Sequence, residues 1–444
     1  MAEKKKYALI GTGGRSYMYS EALLGDFSEH GELAAICDIN QARLDYANSQ
    51  LTDKYGCSPI PAYHIDEFDT MIKERKIDRV IVTTMDRTHH RYIIRAMQAG
   101  CDAITEKPMT VDVQKCRAIF KEIDRSGKNL AVTFNYRYAP RASKVKELLM
   151  QNVIGRVLSV HFEWLLDTRH GADYFHRWHR DKRNSGGLMV HKATHHFDLV
   201  NWWLDTVPEL VYAIGDLTFY GRANAEERGM TKFYDRGTGH PNAASDPFAL
   251  NLEKDENLKS MYLDAESHDG YRRDQSVFGD GISIEDDMAV MVKYRSGAVM
   301  TYHLTAYSPW EGFRIAFNGS QGRLEFEVQE KSYVSGSEKD SNRPDIRDAK
   351  DFTVEEPVRI VVRPHWDKPM TVPVEESGEG GHGGGDVRLL KDIFIGAEND
   401  PLKRAADQWA GAASILTGIA ANASMAQKRP IAVDELFTLP EASE

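Results

Sequence analysis

A short apolar strand that runs straight into clustered glycines is the feature that most restricts this chain. Tyr7-Ala8-Leu9-Ile10 is followed without a break by Gly11-Thr12-Gly13-Gly14-Arg15-Ser16, and a helical pattern opens at Ser16. Glycines at 11 and 13 let the backbone turn sharply and approach a pyrophosphate, which then faces the free amides of the helix N-terminus. Ser16 stands where a dinucleotide fingerprint has its third glycine, and it is small enough to keep helix and strand close. A tight turn of no special function would also use such glycines, so the context decides. A second strand, Glu32–Cys37, ends at Asp38, roughly where a carboxylate binds the adenosine ribose hydroxyls of a dinucleotide. That charge repels a 2′-phosphate, which favours NAD over NADP, although Arg43 a few residues on is an opposing signal.

The alternation continues. Strands are expected at Val80–Thr83, Asp102–Thr105 and Leu130–Phe134, with helices at Arg43–Leu51, His89–Ala99 and Val113–Arg125. Strands alternating with helices indicate a parallel sheet wrapped on both faces. The first unit is therefore an α/β, doubly wound Rossmann domain over residues 1–138. From there the period changes to two: Leu158, Val160, Phe162 and Trp164 alternate with Ser159, His161 and Glu163. Met288–Tyr294 and Ala298–Leu304 repeat the habit around a turn at Arg295-Ser296-Gly297, and Arg314–Asn318 and Arg323–Val328 form another pair. Residues 139–444 are thus expected to form an α+β domain with a large open, mostly antiparallel sheet. Residues 221–285 are charged and weakly periodic and read as an insertion, and 335–352 read as a loop. An apolar stripe from Leu402 through Trp409, Leu416 and Ala423, stopped by Pro430, predicts a helix at about 401–428.

Composition excludes several classes. The net charge of -11 argues against a nucleic-acid partner, which needs a basic patch, and against an anionic membrane surface. No apolar run reaches about 20 residues, so no membrane-spanning helix is expected. The four cysteines, Cys37, Cys57, Cys101 and Cys116, form no C-x-x-C pair and read as reduced thiols of a cytoplasmic protein.

At Ala103-Ile104-Thr105-Glu106-Lys107-Pro108 the chain resembles the Gfo/Idh/MocA oxidoreductases, a family that includes glucose–fructose oxidoreductase and inositol dehydrogenases. Thr84-Met85-Asp86-Arg87-Thr88-His89 and Phe134-Asn135-Tyr136-Arg137-Tyr138 extend the likeness, with Met85 and Asp86 where the family often has Pro and Asn. The resemblance implies a cofactor site built from Gly11, Gly13, Gly14, Arg15, Ser16, Asp38, Thr84, Asp86, His89, Glu106, Lys107 and Asn135. It also implies that Lys107 is catalytic. Independently, a lysine at the C-terminal edge of a parallel strand lies where open α/β sheets bind ligands. There it can stabilise the alkoxide formed as hydride leaves.

The second half carries Gly186-Gly187-Leu188-Met189-Val190-His191-Lys192-Ala193-Thr194-His195-His196-Phe197-Asp198. By comparison with the family, His195 takes the position of its acid/base histidine, and His191 replaces an aspartate four residues earlier. Both are catalytic candidates, and a continuous helix would put them on one face. His-x-x-x-His is also zinc spacing, with His176 and His179 nearby, but no carboxylate or cysteine stands at matching spacing, so no metal is expected. Arg137, Trp178, His179, Arg180, Tyr307 and His382 join His191 and His195 as candidate contacts to a carbohydrate substrate. Trp178 could stack on a sugar face, and His382 lies within the glycine run Gly380–Gly385, expected to form a loop at the site's rim ahead of a helix over Val387–Ile395.

These features predict an NAD-dependent oxidoreductase acting on a sugar, glycoside or polyol hydroxyl. The alternative is an NAD-dependent glycosidase that oxidises a sugar hydroxyl, eliminates the aglycone, adds water and reduces again. Gly13-Gly14-Arg15 and Gly380–Gly385 are similar to that branch of the fold, and an extra base such as His191 would suit the elimination. The family's use of its second sheet for subunit contacts implies a homo-oligomer, a dimer or tetramer.

Overall fold

The computed structural model describes residues 4–334, 357–374, 381–396 and 399–440. The expected loop at 335–352 lies outside them. Strand β1 (Lys5–Ile10) is central in a six-stranded sheet with β2 (Gly31–Asp38), β3 (Ala62–His64), β4 (Arg79–Val82), β5 (Asp102–Thr105) and β6 (Leu130–Val132), in the order β3-β2-β1-β4-β5-β6. All pairs are parallel. Ala8 and Ile10 enter one hydrophobic core while Tyr7 and Leu9 enter another, because successive side chains of a strand point to opposite faces and helices cover both. The strand order reverses between β1 and β4, the switch point at which such sheets bind ligands.

The other sheet has nine strands: β7 (Val157–Asp167), β8 (Pro208–Asp216), β9 (Asp287–Tyr294), β10 (Val299–Ser308), β11 (Glu311–Gly319), β12 (Gly322–Lys331), β13 (Val358–Pro364), β14 (Met370–Val372) and β15 (Ile431–Ala432). They run in the order β14-β13-β12-β11-β7-β10-β9-β8-β15. Among the described residues of this sheet only β10 and β7 pair in parallel; every other pairing there is antiparallel. Register sets Phe162 between Tyr302 and Ile315, and with Val160 and Trp164 these form the buried face. The opposite face is open and carries Ile214 and Met291 at 64% and 50% exposure. Alternation also assigned Leu158 to the inner face, but at the strand's start it is 44% exposed.

Three expectations are corrected. The C-terminal helix spans Gln408–Gln427, so its start, not its end, is displaced, to about seven residues later than expected. Asp407 accepts from the amides of Trp409 and Ala410 and so fixes the start, while Val132 N–H donates to the Ala406 carbonyl as the preceding segment passes β6. Second, the run Gly381–Gly385 is not a loop but the first turns of a helix, Gly381–Phe394. A Cβ on Gly385 would stand 2.4 Å from the Asn135 carbonyl oxygen, so glycine is what allows this helix to lie against residue 135. Third, that helix belongs spatially to the parallel sheet: Phe394 meets Tyr7 edge-on, centroids 5.1 Å apart, and Leu390 joins the same core. The chain thus returns to its beginning, which no linear division of the sequence expresses.

Residues 221–285 form short helical turns and loops. The stem is held by one buried carboxylate, Asp286, which accepts from the amides of Thr218, Phe219 and Tyr220 at 2.7–2.8 Å. The four cysteines are free thiols. Among the described residues, no helix is long and apolar enough to cross a membrane.

Candidate active site

β1 delivers the chain to Gly11, whose φ of +93° is a conformation that L side chains rarely adopt. A Cβ there would also lie 2.9 Å from the Thr83 carbonyl oxygen. Two constraints thus demand glycine. At Gly13 nothing lies within 4 Å of the place a Cβ would take, which leaves the turn open in front of the helix N-terminus, room suited to a diphosphate. Ser16 is 2% exposed and its hydroxyl donates to the Gly13 carbonyl at 2.7 Å. Asp38 braces the loop: it accepts from the Thr12 amide (2.7 Å) and hydroxyl (3.1 Å) and from the Asn40 amide (2.9 Å). These take three of its roughly four acceptor positions and leave one for a ribose hydroxyl. Arg43 lies 3.5 Å from Asp38 and is ion-paired with Asp269 of the insertion.

Opposite the glycine loop, the ends of β4 and β5 carry the other expected residues. His89 is buried, and its ring nitrogens sit 2.8 Å from the Pro108 carbonyl and 3.0 Å from the Thr84 carbonyl. It therefore ties the Thr84 loop to the Lys107 segment. Glu106 accepts from Arg15 Nε at 2.7 Å and from the Tyr19 hydroxyl at 2.6 Å. Burial opposes its charge, but Arg15 and Tyr19 outweigh it and hold the carboxyl below its ordinary value. Asn135 donates to Asp386 at 2.6 Å, and Arg15 lies 3.6 Å from that same carboxylate. Lys107 is pushed down to about 8, first by burial and then by the charge of Lys192, against the pull of Asp86 and Glu106. Its Nζ is 3.4 Å from the His191 carbonyl oxygen, to which it donates.

The helix expected to carry both histidines is broken. It runs Leu188–His191, turns at Lys192 and Ala193, and resumes at Thr194–Leu204. The amides of Lys192 and Ala193 both fold back on the Leu188 carbonyl, at 3.0 and 2.8 Å, which ends the first segment. His191 and His195 therefore stand on different helices. His191 Nδ1 is 2.5 Å from Asp86 Oδ2. Burial raises the Asp86 carboxyl well above its ordinary value and lowers the His191 imidazole well below its own. His179 also belongs here, its ring centroid 4.2 Å from that of His191. Burial, with Arg177 and His191 beside it, holds His179 well below the ordinary imidazole value. One ligand atom from each of Asp86, His179 and His191 lies within 4.8 Å of the others. His195 instead packs edge-on against Tyr136, 4.7 Å between centroids, and against Phe134.

Several expected substrate contacts are redirected. Arg137 is 5% exposed and grips Asp198 with both sides of its guanidinium, at 2.7 and 2.6 Å. Arg180 donates to the carbonyls of Ser276 (3.0 Å) and Asp280 (2.8 Å) and so anchors the insertion. Tyr307 stacks on Phe219, 4.8 Å between centroids, and bonds Asp287. Each of the three is occupied by the protein itself. Trp178 is half-buried, stacks on His179 at 3.5 Å and borders His191. The side chain of His382 lies outside the described residues.

The insertion reaches the glycine loop: the Tyr262 hydroxyl is 3.4 Å from the Gly14 amide, Asn40 donates to the Ala265 carbonyl at 2.9 Å, and Tyr46 donates to Asn257 at 2.7 Å. Between these elements lies a cleft of about 1110 Å³ bounded by Arg15, Arg169, Arg177, Tyr262 and Arg273. Lys107 and His191 are not part of its lining. Nothing in the sequence foreshadows the Asp86–His191 contact, 105 residues apart, or the part played by Tyr19. Two signals were present for others: Arg177 sits within the aromatic and basic run, and Asp386 directly follows the glycines.

Comparison with known proteins agrees with this architecture. Residues 5–134 match the oxidoreductase-family NAD-binding Rossmann fold, and residues 146–433 match the oxidoreductase-family C-terminal alpha/beta domain. The chain is 36% identical over 460 residues to YteT of Bacillus subtilis, covering 98% of this chain and 99% of that protein. It is 26% identical over 208 residues to inositol 2-dehydrogenase of Rhizobium meliloti, covering 47% of this chain and 57% of that protein. The aldose–aldose oxidoreductase of Caulobacter crescentus superposes with a TM-score of 0.61 at 16% identity, covering 97% of this chain and 100% of that one. A glycine loop braced by an acid, a lysine at the end of β5 and an open nine-stranded sheet are thus the parts of a member of the Gfo/Idh/MocA oxidoreductase family with an NAD-binding Rossmann domain.

Proposed function

We propose that this protein moves a hydride between a hydroxyl-bearing carbon of a sugar, glycoside or polyol and NAD. The observation that carries this reading is Lys107, half-buried at the C-terminal end of β5 beside the switch point and facing the Asp86–His191 pair. The residues that would hold the dinucleotide are the open turn at Gly11, Gly13 and Gly14, with Ser16, Asp38 and the Thr84 loop. Bound NAD supplies the hydride acceptor. The Lys107 ammonium stabilises the oxygen from which hydride departs. Its proton passes to the histidines, where His195 is the acceptor implied by the family and His191, its Nδ1 fixed on Asp86, is the second imidazole. Asp38 favours NAD over NADP, since Arg43 is already engaged by two carboxylates.

The inositol 2-dehydrogenase and aldose–aldose oxidoreductase to which the chain is similar act in that substrate class by name. The open sheet face, with a groove of about 610 Å³ lined by Tyr212, Ile214, Met291 and Arg314, is proposed to meet a second copy of the chain. The test is a panel of free sugars, polyols and aryl glycosides, followed for both NADH absorbance and aglycone release. Stoichiometric NADH from an unmodified sugar supports the dehydrogenase. Catalytic aglycone release without NADH, abolished when NAD is stripped, refutes it in favour of a redox-neutral glycosidase.

A further inference from the structure

We propose that Asp86, His179 and His191 form a binding site for one divalent transition-metal ion, with Zn²⁺ the best match. The three come from separate segments: the turn after β4, the short helix Trp178–Arg180 and the helix Leu188–His191. Their ligand atoms all lie within 4.8 Å of one another. In a tetrahedral zinc site with bonds of about 2.0–2.2 Å, neighbouring donors stand roughly 3.4 Å apart. Small side-chain rotations therefore close this cluster around an ion without moving the backbone.

A second observation points the same way. His179 Nδ1 is buried and has no hydrogen-bond partner, in a residue only 3% exposed. A buried polar atom left unsatisfied costs about 1–3 kcal/mol. The ring is held in place nonetheless, stacked on Trp178 and edge-on to Tyr174. Asp86 Oδ2 and His191 Nδ1 already converge to 2.5 Å, and an ion bound there replaces that hydrogen bond.

The donor set fixes the class of ion. Two imidazoles and one carboxylate suit zinc or a similar first-row ion, whereas magnesium and calcium prefer all-oxygen ligands. Lys107 and Arg177 act on Asp86 and oppose a dication, so strong imidazole bonding is what retains it. Three protein ligands leave a fourth position open, the pattern of catalytic rather than structural zinc. An ion there, close to Lys107, would take a substrate oxygen as its fourth ligand.

The test uses the full-length protein stripped with a chelator and dialysed against Zn²⁺ or Co²⁺. Elemental analysis should find a single equivalent per chain, and Co²⁺ should give the visible absorption of a low-coordinate site. His179→Gln and Asp86→Asn should each lower affinity by about 100-fold or more, with folding checked by circular dichroism. His195→Gln should bind as tightly as the parent, because His195 is outside the cluster. Substoichiometric binding by the unaltered protein at micromolar Zn²⁺ overturns the site whatever the variants do. Binding that survives both His179→Gln and Asp86→Asn, or is lost in His195→Gln, also overturns it. Metal binding is measured apart from turnover: a metal-loaded protein without dehydrogenase activity sinks the redox reading and leaves the site standing.

Discussion

Arg137→Met separates a core role from a substrate role for a residue whose sequence context suggested the latter. Arg137 and Asp198 are 5% and 1% exposed and are joined by two short bonds. Removing one partner of such a pair costs about 3–5 kcal/mol, because the other charge stays buried without compensation. For a domain of this size that lowers the thermal midpoint by roughly 5–15 °C. The pH dependence follows from Asp198. Burial already raises its carboxyl above the ordinary value, with Arg137 opposing, and losing Arg137 raises it further. A carboxyl that titrates higher in the folded state than in the unfolded state gains stability as pH falls through that window. The deficit of Arg137→Met should therefore shrink on acidification. The double variant Arg137→Met/Asp198→Leu should recover most of the loss, since an apolar pair of similar volume often replaces a buried ion pair without cost. Calorimetric scans from neutral to mildly acidic pH on the three proteins provide the measurement. A stable single variant with a raised KM would refute the reasoning and restore Arg137 to the substrate.

Lys107→Met should lower kcat by about 10²–10⁴-fold while NAD still binds, read by fluorescence titration. Because Lys107 is pushed down to about 8, kcat/KM for oxidation should fall as pH rises past that value and the ammonium is lost; Lys107→Arg, always charged, should abolish that limb. Gly11→Ala combines a positive φ with a 2.9 Å clash, so it should cost about 1–3 kcal/mol of stability and remove the thermal shift produced by NAD. Asp38→Ala should weaken NAD at least tenfold and narrow its advantage over NADP, measured by titration with both. Ile214→Arg on the open sheet face should shift sedimentation toward the monomer.

Most of the fold was legible because its signals are local. The strand-to-glycine junction, the period of two in β7, β9 and β10, and the turn at Arg295-Ser296-Gly297 each declare themselves within about ten residues. β3 escaped because three residues, Ala62-Tyr63-His64, are too few for a period to show. Of the helix Gly381–Phe394 only the body, from Val387, was expected; its first turns escaped because five glycines among six positions, 380–385, look like a loop, and packing against Asn135 overrides their propensity. The site was legible as a list of residues, not as a geometry. Lys107, His191 and Asp86 were all singled out, but the histidines were related through a helix that breaks at Lys192 and Ala193, and the carboxylate partner came from the other sheet. Arg137 and Arg180 look like ligand contacts in sequence because nothing nearby in the chain reveals Asp198 or the carbonyls of Ser276 and Asp280.

The insertion has a mechanical consequence. Its root is fixed to the nine-stranded sheet through Asp286, and its far end holds Asn40 and Arg43 beside the six-stranded one. Together with the chain crossing after β6 and the helix Gly381–Phe394 packed against Tyr7, this ties the halves at several points, turning what would be a hinge into a closed frame. Bending of one half against the other then strains the insertion. Through the Tyr262 hydroxyl, 3.4 Å from the Gly14 amide, that strain reaches the glycine turn itself, so the insertion links the cofactor end of one sheet to the root of the other.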